Sequence, residues 1–147
     1  TVMKRELLFL PLIGLFFLRA GCIAVDRAGG MRALRELRKA AVRHCRYRRS
    51  LLIFPQGTRV GPGESHGYEV GVFALYDATS LPVVPVALNS GHVWPRNSWT
   101  KHPGIVDVRF LPPIAPVLSR KAFMARLEGQ IEAGMAAIES PHKKQED

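Results

Sequence analysis

Apolar residues in this chain recur at helical spacing in two long stretches and in short unbroken runs elsewhere. Met31 to Arg46 places Leu34, Leu37, Ala41 and Cys45 on one stripe, with Arg32, Arg35, Arg38, Lys39, Arg43 and Arg46 elsewhere. That pattern predicts an amphipathic helix with a basic outer face. Ser119 to Ile138 repeats the spacing through Phe123, Leu127, Ile131 and Ala137 or Ile138, with Ser119 as the N-cap. Gly71 to Ala78 predicts a short helix packing through Val72, Leu75 and Tyr76. Leu51 to Phe54, closed by Pro55 and Gly57, predicts a buried strand, Cys22 to Val25 is a short β-prone run, and Val83 to Leu88 predicts a second near-continuous apolar strand. The last is apolar enough to be covered on both faces. Ile105 to Leu111 alternates as a strand before the stiff Pro112, Pro113 and Pro116. Helices mixed with short strands predict an α/β single domain: a central, mostly parallel or mixed sheet flanked by helices. The domain is expected over residues 1–140, with a polar tail over 141–147.

Leu7 to Leu18 is the most hydrophobic segment. Its twelve residues cover about 18 Å as helix, against about 30 Å of hydrocarbon, so it cannot span a bilayer. Pro11 and Gly14 interrupt it, and it is either a buried element or an interfacial surface with Lys4 and Arg5 at its edge. Trp94, Arg96 and Trp99 form an aromatic, basic loop that suits a membrane interface or a packed turn equally.

A net charge of +9 calls for an anionic partner: phospholipid head groups, nucleic acid or an acidic protein. Nucleic acid is disfavoured, because no aromatics interleave the basic residues and no recognition motif is present. Cys22 and Cys45 are the only cysteines and have neither metal-ligand spacing nor a pairing pattern, which predicts no metal and a reducing compartment. Cys45 beside His44 is no nucleophile–base pair, because helix neighbours point apart.

The loop after Phe54 carries the candidate chemistry. Gly57 lets the backbone approach a ligand, Thr58 donates a hydrogen bond, and Arg59 can grip a phosphate or carboxylate with two parallel bonds. A surface turn with a solvated Arg is the plainer alternative.

Three blocks extend that reading. Phe54-Pro55-Gln56-Gly57-Thr58-Arg59 resembles the Phe-Pro-Glu-Gly-Thr-Arg block of the 1-acyl-glycerol-3-phosphate acyltransferases. Gly21-Cys22-Ile23-Ala24-Val25-Asp26-Arg27 is similar to their upstream block ending in Arg. Leu81-Pro82-Val83-Val84-Pro85-Val86-Ala87-Leu88-Asn89-Ser90-Gly91 is similar to their downstream Val-Pro-Val block. The resemblance runs in order from about Met3 to Ile138. It implies a glycerol-3-phosphate-acyltransferase-like fold and transfer of a fatty acyl group from acyl-CoA or acyl-carrier protein to lysophosphatidate, giving phosphatidate. Arg27 and Arg59 would clamp the acceptor's phosphate, with Gln56, Gly57 and Thr58 beside it, and Leu7 to Leu18 would border the acyl site. No bound cofactor is implied. The expected partners are lysophosphatidate, the acyl donor and an anionic membrane surface. The expected location is the cytoplasmic face of the membrane, peripheral or anchored by a segment outside this chain.

The resemblance also exposes a gap. The family's base is a His-x4-Asp motif ahead of these blocks, and the chain lacks it. His102 and Asp107 have the spacing but follow the last block and lead into a strand. The expectation is an incomplete acyltransferase, inactive by itself; the alternative is a non-catalytic anionic-lipid-binding protein. Gln56 stands where relatives carry Glu, and Glu69 where Lys is common.

Overall fold

The computed structural model describes residues 1–26, 29–58, 60–61 and 66–142. The chain is mixed α/β and divides into two compact units, Thr1–Pro55 with Glu69–Ser80, and Gln56–Tyr68 with Leu81–Asp147.

In the first unit, β1 (Val2–Lys4) and β2 (Ile23–Val25) pair in parallel, Val2 opposite Ile23 and Lys4 opposite Val25. A parallel pair needs a crossover. Here it is a 3-10 turn at Arg5–Phe9 followed by α1 (Ile13–Arg19). Helix α2 (Gly30–Arg46) then packs on β2 and on α3 (Val70–Thr79). The core joins Ile23, Leu37, Ala41 and Leu75, with Val2, Val25, Leu51 and Ile53 against it. Burying each large aliphatic there contributes about 1.5–3 kcal/mol. Leu37 and Ala41 are the buried face of α2, as the spacing predicts, and its arginines lie on the exposed side. Val72, Leu75 and Tyr76 are buried in α3. Ser80, with φ of 51°, ends that helix in the left-handed region and returns its N–H to the Tyr76 carbonyl. Arg38 of α2 ties to Asp77 of α3 through a 2.8 Å Nη2–Oδ2 contact at the surface.

Two predictions change in this unit. Leu51 to Phe54 is not a buried strand. One bond joins it to β1, Val2 N–H to the Leu52 carbonyl at 2.9 Å, and only Leu51 and Ile53 face the core. Leu52 and Phe54 are exposed, so one side of the run is covered, and Pro55 supplies no donor to extend a ladder. Nor is Leu7 to Leu18 a buried element. Leu12, Ile13, Leu15, Phe16 and Leu18 are all exposed, and the buried residue of α1 is Gly14, where a Cβ would run into the Leu8 carbonyl. The helix is held by backbone proximity, which leaves its side chains outward.

The second unit is built on β3 (Val86–Leu88) and β4 (Val108–Phe110), antiparallel with Val86 opposite Phe110. A bridge from Val83 to Ile114 extends the pairing. Pro85 accounts for the shortness of β3, since it accepts from Leu111 N–H but cannot donate. The expectation of cover on both faces also fails: Ala87 is fully buried, whereas Val84 and Leu88 are exposed. Between the strands, Ser90–Val93 forms a single turn, α4, where a loop is predicted. Helix α5 (Arg120–His142) lies on β3. Gly134 makes that approach possible, because a Cβ there would sit 2.9 Å from the Ala87 Cβ. Phe123, Leu127 and Ile138 of α5 are buried, as is Ile114. Ser119 caps α5, its Oγ accepting from Ala122 N–H at 3.3 Å. The helix runs past its predicted end at Ile138, since no residue before Pro141 removes a backbone donor.

The candidate phosphate-binding turn

The first unit gives way to the second at Pro55, and the chain comes back at Glu69. Glu69 N–H donates to the Pro55 carbonyl at 2.8 Å, so the intervening loop begins and ends at the head of α3. Gly57 has φ of 66°. A side chain in that conformation costs about 1–2 kcal/mol, which accounts for glycine at the turn. Gln56 and Gly57 are half-buried and Thr58 is exposed, so the turn presents a hydroxyl and an accessible backbone just ahead of Arg59.

Of the five residues assigned to the site, Gln56, Gly57 and Thr58 come together in this one turn. Arg27 and Arg59 lie outside the described residues. Arg27 follows β2 by two positions, and its neighbour Asp26 sits 4.0 Å from the Arg5 guanidinium, both well exposed. Glu69 is the N-cap residue of α3. A carboxylate suits the positive end of a helix, which gives the acidic residue a local structural reason.

Several other titratable groups have partners within the structure. The Tyr68 hydroxyl donates to Glu132 Oε1 at 3.1 Å, and burial, followed by the Glu132 charge, pushes its phenol well above the ordinary range. Nothing along the chain signals this pair, since its members are 64 positions apart. His92 Nε2 lies 3.6 Å from Glu139 Oε1. The His44 ring is hydrogen-bonded to the Gly21 carbonyl and ties the end of α2 to the turn before β2. Burial raises the Cys45 thiol's pKa, opposite to what a nucleophile needs. His102 is exposed in an irregular segment, its N–H given to the Val93 carbonyl, and not at a helix start. Among the described residues, no three of His, Cys, Asp and Glu gather as metal ligands. No described helix is long and apolar enough to cross a membrane.

Comparison with known proteins supplies the family. An acyltransferase family model matches residues 1–89. The 1-acyl-sn-glycerol-3-phosphate acyltransferase of Pseudomonas aeruginosa is 35% identical over 132 residues, which is 90% of this chain and 51% of that protein. The enzyme of the same name from Limnanthes alba is 32% identical over 114 residues, 77% of this chain and 41% of its own. The fold matches the crystal structure of the 1-acyl-sn-glycerophosphate acyltransferase of Thermotoga maritima with a TM-score of 0.78 at 23% identity. That match covers 94% of this chain and 56% of the other. The chain thus spans about half the length of these relatives.

Proposed function

The chain belongs to the acyltransferase family, and from that premise we propose that it is the acceptor-holding part of a lysophosphatidate acyltransferase. The reaction joins the free hydroxyl of 1-acyl-glycerol 3-phosphate to the acyl carbonyl of a thioester, acyl-CoA or acyl-carrier protein. A C–O bond forms, the C–S bond breaks, the hydroxyl proton passes to a base, and the thiol leaves. This chain's part is to hold the phosphate. Arg27 and Arg59 each offer a planar fork to its oxygens. Gly57 keeps the backbone close, and Thr58 adds a hydroxyl bond. The observation that carries the reading is the glycine turn at φ of 66° immediately ahead of Arg59, in a chain whose relatives are named for this acceptor.

No His-x4-Asp precedes the three blocks in these 147 residues; the two places with that spacing, His102 to Asp107 and His142 to Asp147, both follow them. The chain alone is therefore proposed to bind lysophosphatidate without turnover. A non-catalytic lipid-binding protein is the second reading, favoured by the same missing motif. Acyl transfer by the protein from its native source separates the two.

No bound cofactor is proposed. The membrane surface is the proposed place of work, because most side chains of α1 are apolar and exposed and the 3-10 turn it packs on begins at Arg5, just after Lys4. Its cytoplasmic face is proposed from the family resemblance alone. Titration calorimetry with lysophosphatidate tests the clamp. Arg59→Ala and Arg27→Ala should each weaken binding by about tenfold or more, from charge-assisted bonds of about 1.5–3 kcal/mol. Unchanged affinity in both variants would remove the assignment.

A further inference from the structure

The connection between β3 and β4, residues 89–107, does something the packing of its unit does not ask for. Trp99 is 99% exposed, Trp94 51% and Ile105 72%, with Val106 also open to solvent. The segment is nonetheless pinned. Asn89 is buried, and its side-chain carbonyl accepts from Asp107 N–H at 2.7 Å. His102 N–H donates to the Val93 carbonyl at 2.8 Å. Within the loop the Trp94 Nε1–H donates to the Ser98 carbonyl at 2.9 Å, Ser98 Oγ bonds the Thr100 backbone, and the Lys101 ammonium lies 4.7 Å from the centroid of the Trp94 ring. Arg96 and Lys101 supply positive charge, and Asp107, at the base, is the one acidic residue of the connection.

Burying an indole stabilises by removing a large apolar area from water, so holding one wholly in water on a pinned loop forgoes that gain. A ring with an apolar body and an N–H, in a stretch from 94 to 106 whose charged residues are Arg96 and Lys101, matches the head-group layer of an anionic bilayer. An acidic protein surface would satisfy the cations but offers nothing specific to two tryptophans, an isoleucine and a valine together.

We propose that the 94–106 loop is a membrane-interface anchor, with Trp99 and Ile105 entering the head-group layer of an anionic bilayer while Arg96 and Lys101 meet its phosphates. This extends the membrane partner of the functional reading. Its test requires no turnover, so failure here leaves acyl transfer standing, and failure of acyl transfer leaves this anchor standing.

The chain has two tryptophans, so Trp94→Phe makes Trp99 the sole reporter. With vesicles of equal parts phosphatidylglycerol and phosphatidylcholine, Trp99 emission should shift to the blue, and lipids brominated along the acyl chain should quench it. Trp99→Ala should weaken vesicle partitioning by roughly tenfold or more. Arg96→Glu and Lys101→Glu should each weaken it by roughly fivefold, and only when phosphatidylglycerol is present. Emission that stays water-like and unquenched overturns the proposal, whether the protein remains free or sediments with the vesicles through another surface. So does Trp99→Ala partitioning like the parent, with circular dichroism confirming that both are folded.

Discussion

At the scale of single residues, three glycines are tested by the same substitution for different reasons. Gly57→Ala puts a Cβ on a backbone at φ of 66°. It should cost about 1–2 kcal/mol, felt first at the turn, so lysophosphatidate affinity should fall by more than the urea midpoint moves. In α5 the comparison is between Gly134 and Gly129. Alanine normally adds about 0.8–1 kcal/mol over glycine inside a helix. Nothing lies within 4 Å of a Cβ at Gly129, whereas one at Gly134 meets the Ala87 Cβ at 2.9 Å. Gly129→Ala should therefore raise the urea midpoint and Gly134→Ala should not. Equal gains from both would show that α5 does not approach β3 as closely as the geometry states. Position 57 was legible in the sequence, since a glycine after proline in a loop announces a turn. The demand at 134 was not, because it comes from a strand far away along the chain.

Among elements, α2, α3 and α5 were legible and β2, β3 and β4 fall inside the runs read as strands, but the extent and cover of the strands were not legible, for a physical reason. A helix satisfies its own hydrogen bonds, so spacing and caps suffice: Leu37 and Ala41 fall on the buried face of α2, and Ser119 caps α5 as read. A strand depends on a partner. Leu51 to Phe54 has the composition of one but receives a single bond from β1, and Pro85 breaks the run from Val83 to Leu88 into the strand Val86–Leu88 and a lone bridge from Val83 to Ile114. The α2–α3 contact carries its own prediction. Leu37→Ala, deep in that core, should destabilise by about 2–5 kcal/mol, read as a lower denaturation midpoint with unchanged slope. Arg38→Ala removes an exposed pair with Asp77 and should cost under about 1 kcal/mol. Their order of effect is the check; a larger loss from Arg38 would mean the ion pair, not the apolar core, holds the helices together.

For the whole molecule the pH dependence separates a structural tyrosine from the site. Tyr68 is raised from an ordinary 10.0 by burial and by Glu132. Folding thus favours the protonated phenol. That contribution is complete below the unfolded value and disappears as pH rises past it toward the higher folded one. In the Tyr68→Phe variant nothing remains to ionise, so the fall in stability above about pH 10 should be shallower than in the parent. The half-exposed ring keeps the difference modest. Below pH 9 the two proteins should differ by a constant offset, the worth of the bond to Glu132, about 0.5–1.5 kcal/mol. Denaturant midpoints taken from neutral to alkaline pH measure both quantities at once. Parallel curves through pH 11 would mean that Tyr68 is as easily ionised folded as unfolded, which the 3.1 Å bond to a carboxylate does not permit. Lysophosphatidate binding should follow a different course over the same range: guanidinium groups keep their charge there, so the affinity due to Arg27 and Arg59 should hold until the fold itself is lost. A decline in affinity that precedes unfolding would point to a lysine in the phosphate site in place of the two arginines.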